Sequence, residues 1–561
     1  MIGTKAMTYD VLLIFLLGGL LYLPWVNLPT TDADTAYYSS AAQRVVDSGD
    51  WMTLRSSEGN LLDKPPLSIW LMAISYRLWG RHDWSTRLWQ IILSLGTLVL
   101  TYLTARRFFG RKEALFGTLI LATTLLFFYC TMVVQQDILN LFTYALFFYA
   151  LVRFWQTHAP AAFYLGWLAL SLSFLNRWQI ALITPLGVLV AWVAVARILG
   201  RDDFQVRKLF GSREVALRRT LLGLLIFAVA GGTWYLYEYL RLGRPFLELF
   251  FGRRNLSFLQ NPGGRPFSWL NATYLPQLVL ASIPWVIFLP DAVATVTKEA
   301  RRWAELRNRE SDGFLFLAVW FLVAFLVPHG SAWRVIRYLL PTLPPLAILM
   351  GVSITRKLQA RRGFALSAAM SGVMSLLFLL IDVYILAQRL DAGLEPYKDL
   401  ILPFSLASTL IFTSYTIAIS CRRERFAIFL FILFTVTSYV ALFASVNYRW
   451  DQISPWRSLG LEARARLGAG IQLAWYRAEE KLPYGIPGEE EKAIYEYYAG
   501  RPVLSIGRPD ELGRMLVRGP VLVVARDRTL FELKACHPEV ELQTIRVHRS
   551  GWTLVRAERR D

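Results

Sequence analysis

Ionisable residues recur where the apolar stretches of this chain give way to polar loops. They include Asp32 and Asp34 in "DADTAYY", Asp63 and Lys64 in "LLDKPP", Asp137 in "MVVQQDILNLF" and Arg177 in "NRWQ". Further along come Arg253, Arg254 and Arg265 in "FFGRRNLSFLQNPGGRPFSW", then Arg334 and Arg337 just before "YLLP". Charges in such places are costly to bury, which makes each a functional candidate. Guanidinium and ammonium groups hold phosphate oxygens and stabilise a phosphate as it leaves. A carboxylate can take the proton of an incoming hydroxyl. Together these residue types suit phosphate-linked group transfer at a lipid–water boundary. For any single arginine, a snorkelling anchor is an equal alternative. The acids are harder to account for that way, since Asp137 stands between two apolar runs with no cation beside it.

The elements that must carry these residues follow from composition. The chain has 561 residues, 55% of them hydrophobic and 14% aromatic, with a mean hydropathy of +0.39. The apolar residues fall in blocks at about 10–25, 84–109, 113–134, 138–155, 161–175, 179–198, 221–240, 276–296, 313–328, 338–355, 364–386, 401–420 and 426–446. A hydrocarbon core needs roughly 20 apolar residues per helix, so the pattern predicts a polytopic α-helical membrane protein of roughly thirteen spans. The net charge of +19 does not indicate nucleic acid. Its arginines and lysines cluster between blocks, near 106–112, 201–219, 298–309, 356–362 and 422–425, and fit loops on one side of a membrane. With the N-terminus on that side, every cluster falls there. Cys130, Cys421 and Cys536 have no paired spacing. The stretch "VLLIFLLGGLLYLPW" reads as an uncleaved first helix.

Two long loops then fall on the opposite, outer side, at about 26–83 and 241–275. In the first, "DADTAYYSSAAQRVVDSGDW" and "KPPLSIWLMAISYRLWG" each predict a short helix with one apolar face, lying along the membrane surface. Pro65 and Pro66 suit the start of the second helix. After residue 446 apparent strands and helices alternate, as in "IQLAWYRAEEKLPYG" and "PVLVVARDRTLFELKA". Residues 1–446 therefore read as the membrane domain, and 447–561 as a small soluble α/β domain on the outer side.

The ordered set "DADTAYY…SGDW…DKPPLSIWLMAISYRLWG", "QQD" opening a span, and "RYLLPTLPPLA" resembles the GT-C membrane glycosyltransferases over roughly residues 10–355. The lipid A aminoarabinose transferases and, more distantly, the protein O-mannosyltransferases are the nearest in pattern. The resemblance implies a sugar donor linked to polyprenyl phosphate, used at the periplasmic or extracellular face of a bacterial inner membrane. It implies an inverting transfer to a lipid A-type lipid, a glycan or a protein. It places Asp34 at the family's catalytic aspartate, Asp63–Lys64 on its acid–Lys–Pro motif and Asp137 at its second loop aspartate. Lys64, Arg177, Arg334 and Arg337 would face the donor phosphate, and Arg254, Arg265 and Tyr338 would contact substrate. There are departures. Thr35 follows Asp34 where the family often has Glu, Arg177 stands in for a lysine, and a histidine expected in the large outer loop is missing from "NPGGRPFSW". A divalent metal at Asp63 stays open, but one carboxylate makes a poor site.

Plainer roles compete. Asp34 either serves chemistry or caps the helix after it, or both. Asp63 either joins the site or pairs with a neighbouring cation, and Asp137 is either functional or a satisfied structural acid. At the level of the whole chain, a flippase of lipid-linked sugars or a non-catalytic envelope assembly subunit competes with an enzyme. The flippase is the weaker reading, because no internal repeat is visible and the charges sit at span ends.

Overall fold

Each apolar block of the sequence folds as a helix or as a broken pair of helices. The computed structural model describes residues 4–30, 32–55, 64–178, 180–201, 205–248, 250, 274–303, 305, 308–330, 335–360, 363–387, 398–468, 470–476, 488–548 and 550–559. The first half runs α1 (Thr4–Tyr22), α2 (Ala33–Ser48), α3 (Leu67–Trp79), α4 (Asp83–Arg106), α5 (Arg111–Ala122), α6 (Leu125–Met132) and α7 (Gln136–Thr157). It continues through α8 (Pro160–Arg177), α9 (Ile180–Ile198), α10 (Val206–Phe210), α11 (Arg213–Phe227), α12 (Thr233–Leu242) and α13 (Arg244–Leu247). The bundle is completed by α14 (Tyr274–Ala281), α15 (Leu289–Ala300), α16 (Arg309–Leu326), α17 (Leu343–Ala360), α18 (Ala365–Leu386), α19 (Lys398–Ser420) and α20 (Glu424–Ile453).

Among the described residues 10 helices are long and apolar enough to cross a membrane, or up to 12 if each bent pair is one span. The roughly thirteen expected blocks are all helical, and three of them fall outside these ten. Two blocks break, with α5 and α6 bent by 57° and the pair Tyr274–Ala281 and Trp285–Ala300 bent by 109°. A third block is α8, whose 18 residues end in the polar Asn176 and Arg177. Where α5 crosses α17, glycine is required. A Cβ on Gly351 would stand 2.4 Å from the Gly117 nitrogen, so the two backbones touch there.

Four of the basic clusters meet at one end of the bundle. The Arg309 guanidinium donates to the carbonyls of Arg106 and Arg107. Arg201 pairs with Asp312 and donates to the Trp303 carbonyl at 2.7 Å. Arg356 reaches Glu299 at 2.9 Å and Glu310 at 2.5 Å. Loops widely separated in sequence thus share one face, as the charge pattern predicts.

At the other end α2 and α3 form the two expected short helices, each with one apolar face. Ala41, Ala42 and Val45 of α2 bury against Ile69, Met72, Ala73 and Tyr76 of α3, each set at helical spacing. Leu139, Trp178, Trp234 and Phe250 close this small core from the bundle side. Gly49 ends α2 with φ +70, a left-handed cap that favours glycine. Asp50 then accepts the amides of Met52 and Thr53 at 3.1 and 3.0 Å, which turns the chain. Pro66 sits at the N-cap of α3, and its carbonyl accepts from the Trp70 amide at 2.8 Å. Of the second outer loop, residues 249 and 251–273 lie outside the described residues.

Beyond α20 come α21 (Trp456–Arg466), α22 (Gly488–Ala499), α23 (Pro509–Leu516) and α24 (Asp527–Cys536), packed on a five-stranded sheet of order β2-β1-β3-β5-β4. The strands are β1 (Gln472–Tyr476), β2 (Leu504–Ile506), β3 (Val521–Arg526), β4 (Val540–Val547) and β5 (Trp552–Arg559). β1 is parallel to β2 and β3, while β5 is antiparallel to β3 and β4. This α/β unit docks through α22 on the end of the bundle opposite the basic clusters. The Tyr497 and Tyr498 hydroxyls reach Asp83 at 3.0 and 3.3 Å, and the Thr30 amide donates to Tyr498 at 2.6 Å.

Candidate active site

The site begins with a gap between helices. α6 stops at Met132 and α7 starts at Gln136, leaving three residues of extended backbone deep in the protein. Backbone off a helix is tolerated at such depth only when its polar groups are satisfied. α4 supplies the donors. Arg87 Nε reaches the Met132 carbonyl at 2.9 Å, and Gln90 Nε2 reaches those of Cys130 and Val133 at 2.9 and 3.0 Å. The Thr35 hydroxyl of α2 accepts from the Val134 amide at 3.1 Å. The Arg87 guanidinium also bonds the Pro29 carbonyl at 2.9 Å, so the same buried side chain ties down the approach to α2.

The start of α2 separates two nearby acids by role. Asp32 is the N-cap, accepting from the Thr35 amide at 2.7 Å and hydroxyl at 2.6 Å. Asp34 lies one position inside the helix, which corrects the alternative that Asp34 is the cap. Burial raises the Asp32 carboxyl above its ordinary value, against the lowering by Thr35. Asp34 is half-exposed, and its Oδ2 meets both Gln135 Nε2 at 3.0 Å and Arg337 Nη2 at 3.0 Å. Among the described residues Oδ1 accepts nothing.

A second acid is set by paired amides. Gln136 donates to the Asn176 carbonyl at 2.8 Å, and Asn176 donates back to the Gln136 carbonyl at 2.9 Å. This clasp joins the start of α7 to the end of α8 and brings Asp137 against Arg177, with which it pairs. Asp137 is buried, its side chain only 8% exposed. Arg337, on the 3-10 turn Ile336–Thr342, places Nε 3.4 Å from Asp137 as well, so one guanidinium bridges both acids. Tyr338 stacks its ring 5.3 Å from the Arg177 guanidinium. Tyr38, one turn along α2, has its hydroxyl held well above its ordinary value by burial and then by the Asp34 charge, so it stays a neutral donor.

Asp34, Asp137, Arg177, Arg337 and Tyr338 are therefore brought together. Lys64 is half-buried at the approach to α3, and the ion pairs joining the other four charges do not run through it. Asp63, Arg253, Arg254, Arg265 and Arg334 lie outside the described residues. Among the described residues no three of His, Cys, Asp and Glu gather as a metal site, and Asp63, where a divalent metal stays open, lies outside them. Asp34 and Asp137 face guanidinium groups instead.

Sequence reasoning missed Gln135, Gln136 and Asn176, the amides that hold the acids, although "QQD" and "LNR" put them beside the charges they orient. It also missed Arg87, which looks like any charge inside an apolar block. The docking tyrosines in "IYEYYAG" carry no local signal.

A family model described as dolichyl-phosphate-mannose-protein mannosyltransferase matches residues 63–229. An uncharacterised protein of Aquifex aeolicus is 25% identical over 315 residues, covering 56% of this chain and 57% of its own length. The undecaprenyl phosphate-alpha-4-amino-4-deoxy-L-arabinose arabinosyl transferase 2 of Proteus mirabilis is 26% identical over 376 residues, covering 64% and 63%. The chain thus spans about 57–63% of the length of these relatives. Crystal structures of ArnT from Cupriavidus metallidurans superpose at TM-score 0.74 in the apo state and 0.73 bound to undecaprenyl phosphate. They share 16% and 17% identity with this chain, covering 98% of both chains in the first case and 97% in the second. The fold, C-terminal sheet included, is shared along almost its entire length.

Proposed function

We propose that this chain, a GT-C membrane protein of the aminoarabinose-transferase and protein-mannosyltransferase type, moves a sugar from a polyprenyl-phosphate donor to an acceptor at the outer face. The observation that carries the reading is the single network of Asp34, Arg337, Asp137 and Arg177, assembled from α2, α7, α8 and the turn before α17. The matched family and the undecaprenyl phosphate bound by a structural relative support a prenyl-phosphate donor. The acceptor is a lipid, glycan or protein, and the protein sits in a bacterial inner membrane with this site toward the periplasm.

In this mechanism the acceptor hydroxyl gives its proton to Asp34 Oδ1 as its oxygen attacks the anomeric carbon. The bond from that carbon to the phosphate oxygen breaks on the opposite face, so the configuration inverts. Gln135 and Arg337 hold Oδ2 and leave Oδ1 facing the acceptor. The negative charge arriving on the phosphate is met by Arg337 and Arg177, with Lys64 and Arg334 as further candidates. Asp137 keeps both described arginines in place, and its burial strengthens the attraction.

The test supplies a donor labelled in both sugar and prenol to the purified protein in lipid. Transfer releases free polyprenyl phosphate in step with labelled acceptor. A flippase would move the donor across the bilayer and cleave none of it, and that result would refute the proposal.

A further inference from the structure

Where the α/β unit meets α2 and the turn before α4 there is a polar cavity of about 360 Å³. Its volume falls in the roughly 300–1,000 Å³ range of small-molecule sites. Gln43 of α2, Arg81 before α4, Arg464 of α21 and Arg501 just past α22 line it, together with Tyr76 and Gly500. No acidic residue is in the lining. Among the described residues none of the three arginines forms an ion pair.

The arginines are held by different means. Arg81 donates through Nη2 to the Tyr497 carbonyl at 2.5 Å and lies 4.6 Å over the Tyr497 ring, while its buried Nε has no acceptor among the described residues. Arg464 and Arg501 are exposed. Gly500, at φ +77, turns the chain after α22 so that Arg501 follows directly, and a Cβ there would stand 3.7 Å from Arg464 Cδ and Nε. Three guanidinium groups around one cavity repel one another unless an anion joins them. Their planar forks match phosphate oxygens better than ammonium groups would.

We propose that this junction is a second binding site, distinct from the Asp34 network, that takes a phosphate group carried by a lipid headgroup or free in solution. Gln43 is nine residues beyond Asp34 on α2, roughly 13 Å along the helix. The cavity is therefore separate from the candidate active site yet shares its helix. An anion seated here bridges α2 and the Arg81 turn to α21 and α22, and so clamps the α/β unit onto the bundle. No chemical step is involved, and the inference stands whether or not sugar transfer is the activity.

The full-length protein in detergent is titrated with inorganic pyrophosphate at constant ionic strength, and binding is read by equilibrium dialysis and by thermal shift. In parallel, phosphatidylglycerol retained from mixed micelles is counted by mass spectrometry. Three proteins are compared: wild type, Arg464→Gln with Arg501→Gln, and Arg337→Gln. The expected result is saturable binding of at least one probe, weakened tenfold or more in the double variant, while Arg337→Gln removes at most a separate component belonging to the Asp34 network. Pyrophosphate binding alone identifies a free or glycan-borne phosphate, and lipid retention alone identifies a headgroup. Arg464→Lys with Arg501→Lys, which keeps the charge, is expected to lose less and serves if the glutamine pair misfolds. Equal binding by wild type and double variant, loss only in Arg337→Gln, or no binding of either probe overturns the proposal.

Discussion

The two ends of the bundle both gather acids and arginines, yet they use them differently. At the basic end the acids are held against cations at short range. Lys357 Nζ lies 2.5 Å from the buried Asp291, Arg111 grips Asp10 with bonds of 2.6 to 2.9 Å, and Arg201 pairs with Asp312. At the opposite end Arg337 is shared between two acids, as Arg356 is at the basic end, but Asp34 is 46% exposed, against 1% for Asp291 and 2% for Asp10, and its Oδ1 is unbonded among the described residues. Sealed pairs staple helices together. A half-exposed carboxylate with a free oxygen beside a shared arginine leaves capacity for a substrate. Charge at a span end is thus ambiguous by itself, and burial and pairing must be read together.

That contrast can be broken by substitution at each end. Asp34→Asn keeps the shape and removes the base, so transfer should fall by about 10²–10⁴-fold with thermal stability near wild type. Full turnover in a folded variant would move chemistry away from Asp34, and a loss near the lower limit would indicate an acceptor that arrives already ionised. At the basic end Asp291→Ala should do the reverse. It strands Lys357, whose side chain is one-fifth exposed, and should cost about 3 kcal/mol of stability while turnover per folded molecule is unchanged. Denaturant unfolding alongside the transfer assay separates these outcomes.

Smaller effects sharpen the comparison. Asn176→Ala opens the clasp between α7 and α8 by removing one of its two buried hydrogen bonds, a loss of about 1 kcal/mol. Because it lets Asp137 and Arg177 shift, turnover should drop as well, more steeply than stability alone explains; a stability loss with normal kinetics would make the clasp purely structural. The smallest effect is a pH dependence at Asp32. Its folded carboxyl is raised by burial, so its stabilising contribution is full below the ordinary value of 3.8 and lost as pH climbs through the raised one. Asp32→Asn keeps an acceptor for Thr35 and does not titrate. The stability of wild type relative to this variant should decline as pH rises above 3.8, and a difference flat with pH would contradict that assignment.

Much of this protein is written locally. Apolar blocks of span length have no alternative to helices in lipid, because every backbone polar group must be satisfied within the chain. The repeating apolar faces of "YYSSAAQRVV" and "LSIWLMAISY" predict α2 and α3, and the strand–helix alternation after residue 446 predicts the sheet unit. Asp34, Asp137, Arg177 and Arg337 are visible because charges beside apolar runs are rare and costly.

What the sequence determined by itself was which residues are helical, which are charged and on which face they emerge, since hydropathy and charge act over a turn or two of chain. Only the tertiary structure decided which acid caps and which stays open, which arginine is shared, and how the sheet unit docks. Asp32 and Asp34 differ by two residues and by nothing in side-chain chemistry; the hydroxyl of Thr35 and the amide of Gln135 tell them apart. A hydrogen bond needs its partner within about 3 Å and in line. For Gln135, Asn176 and Tyr498 that partner comes from another part of the chain, and packing alone sets the distance.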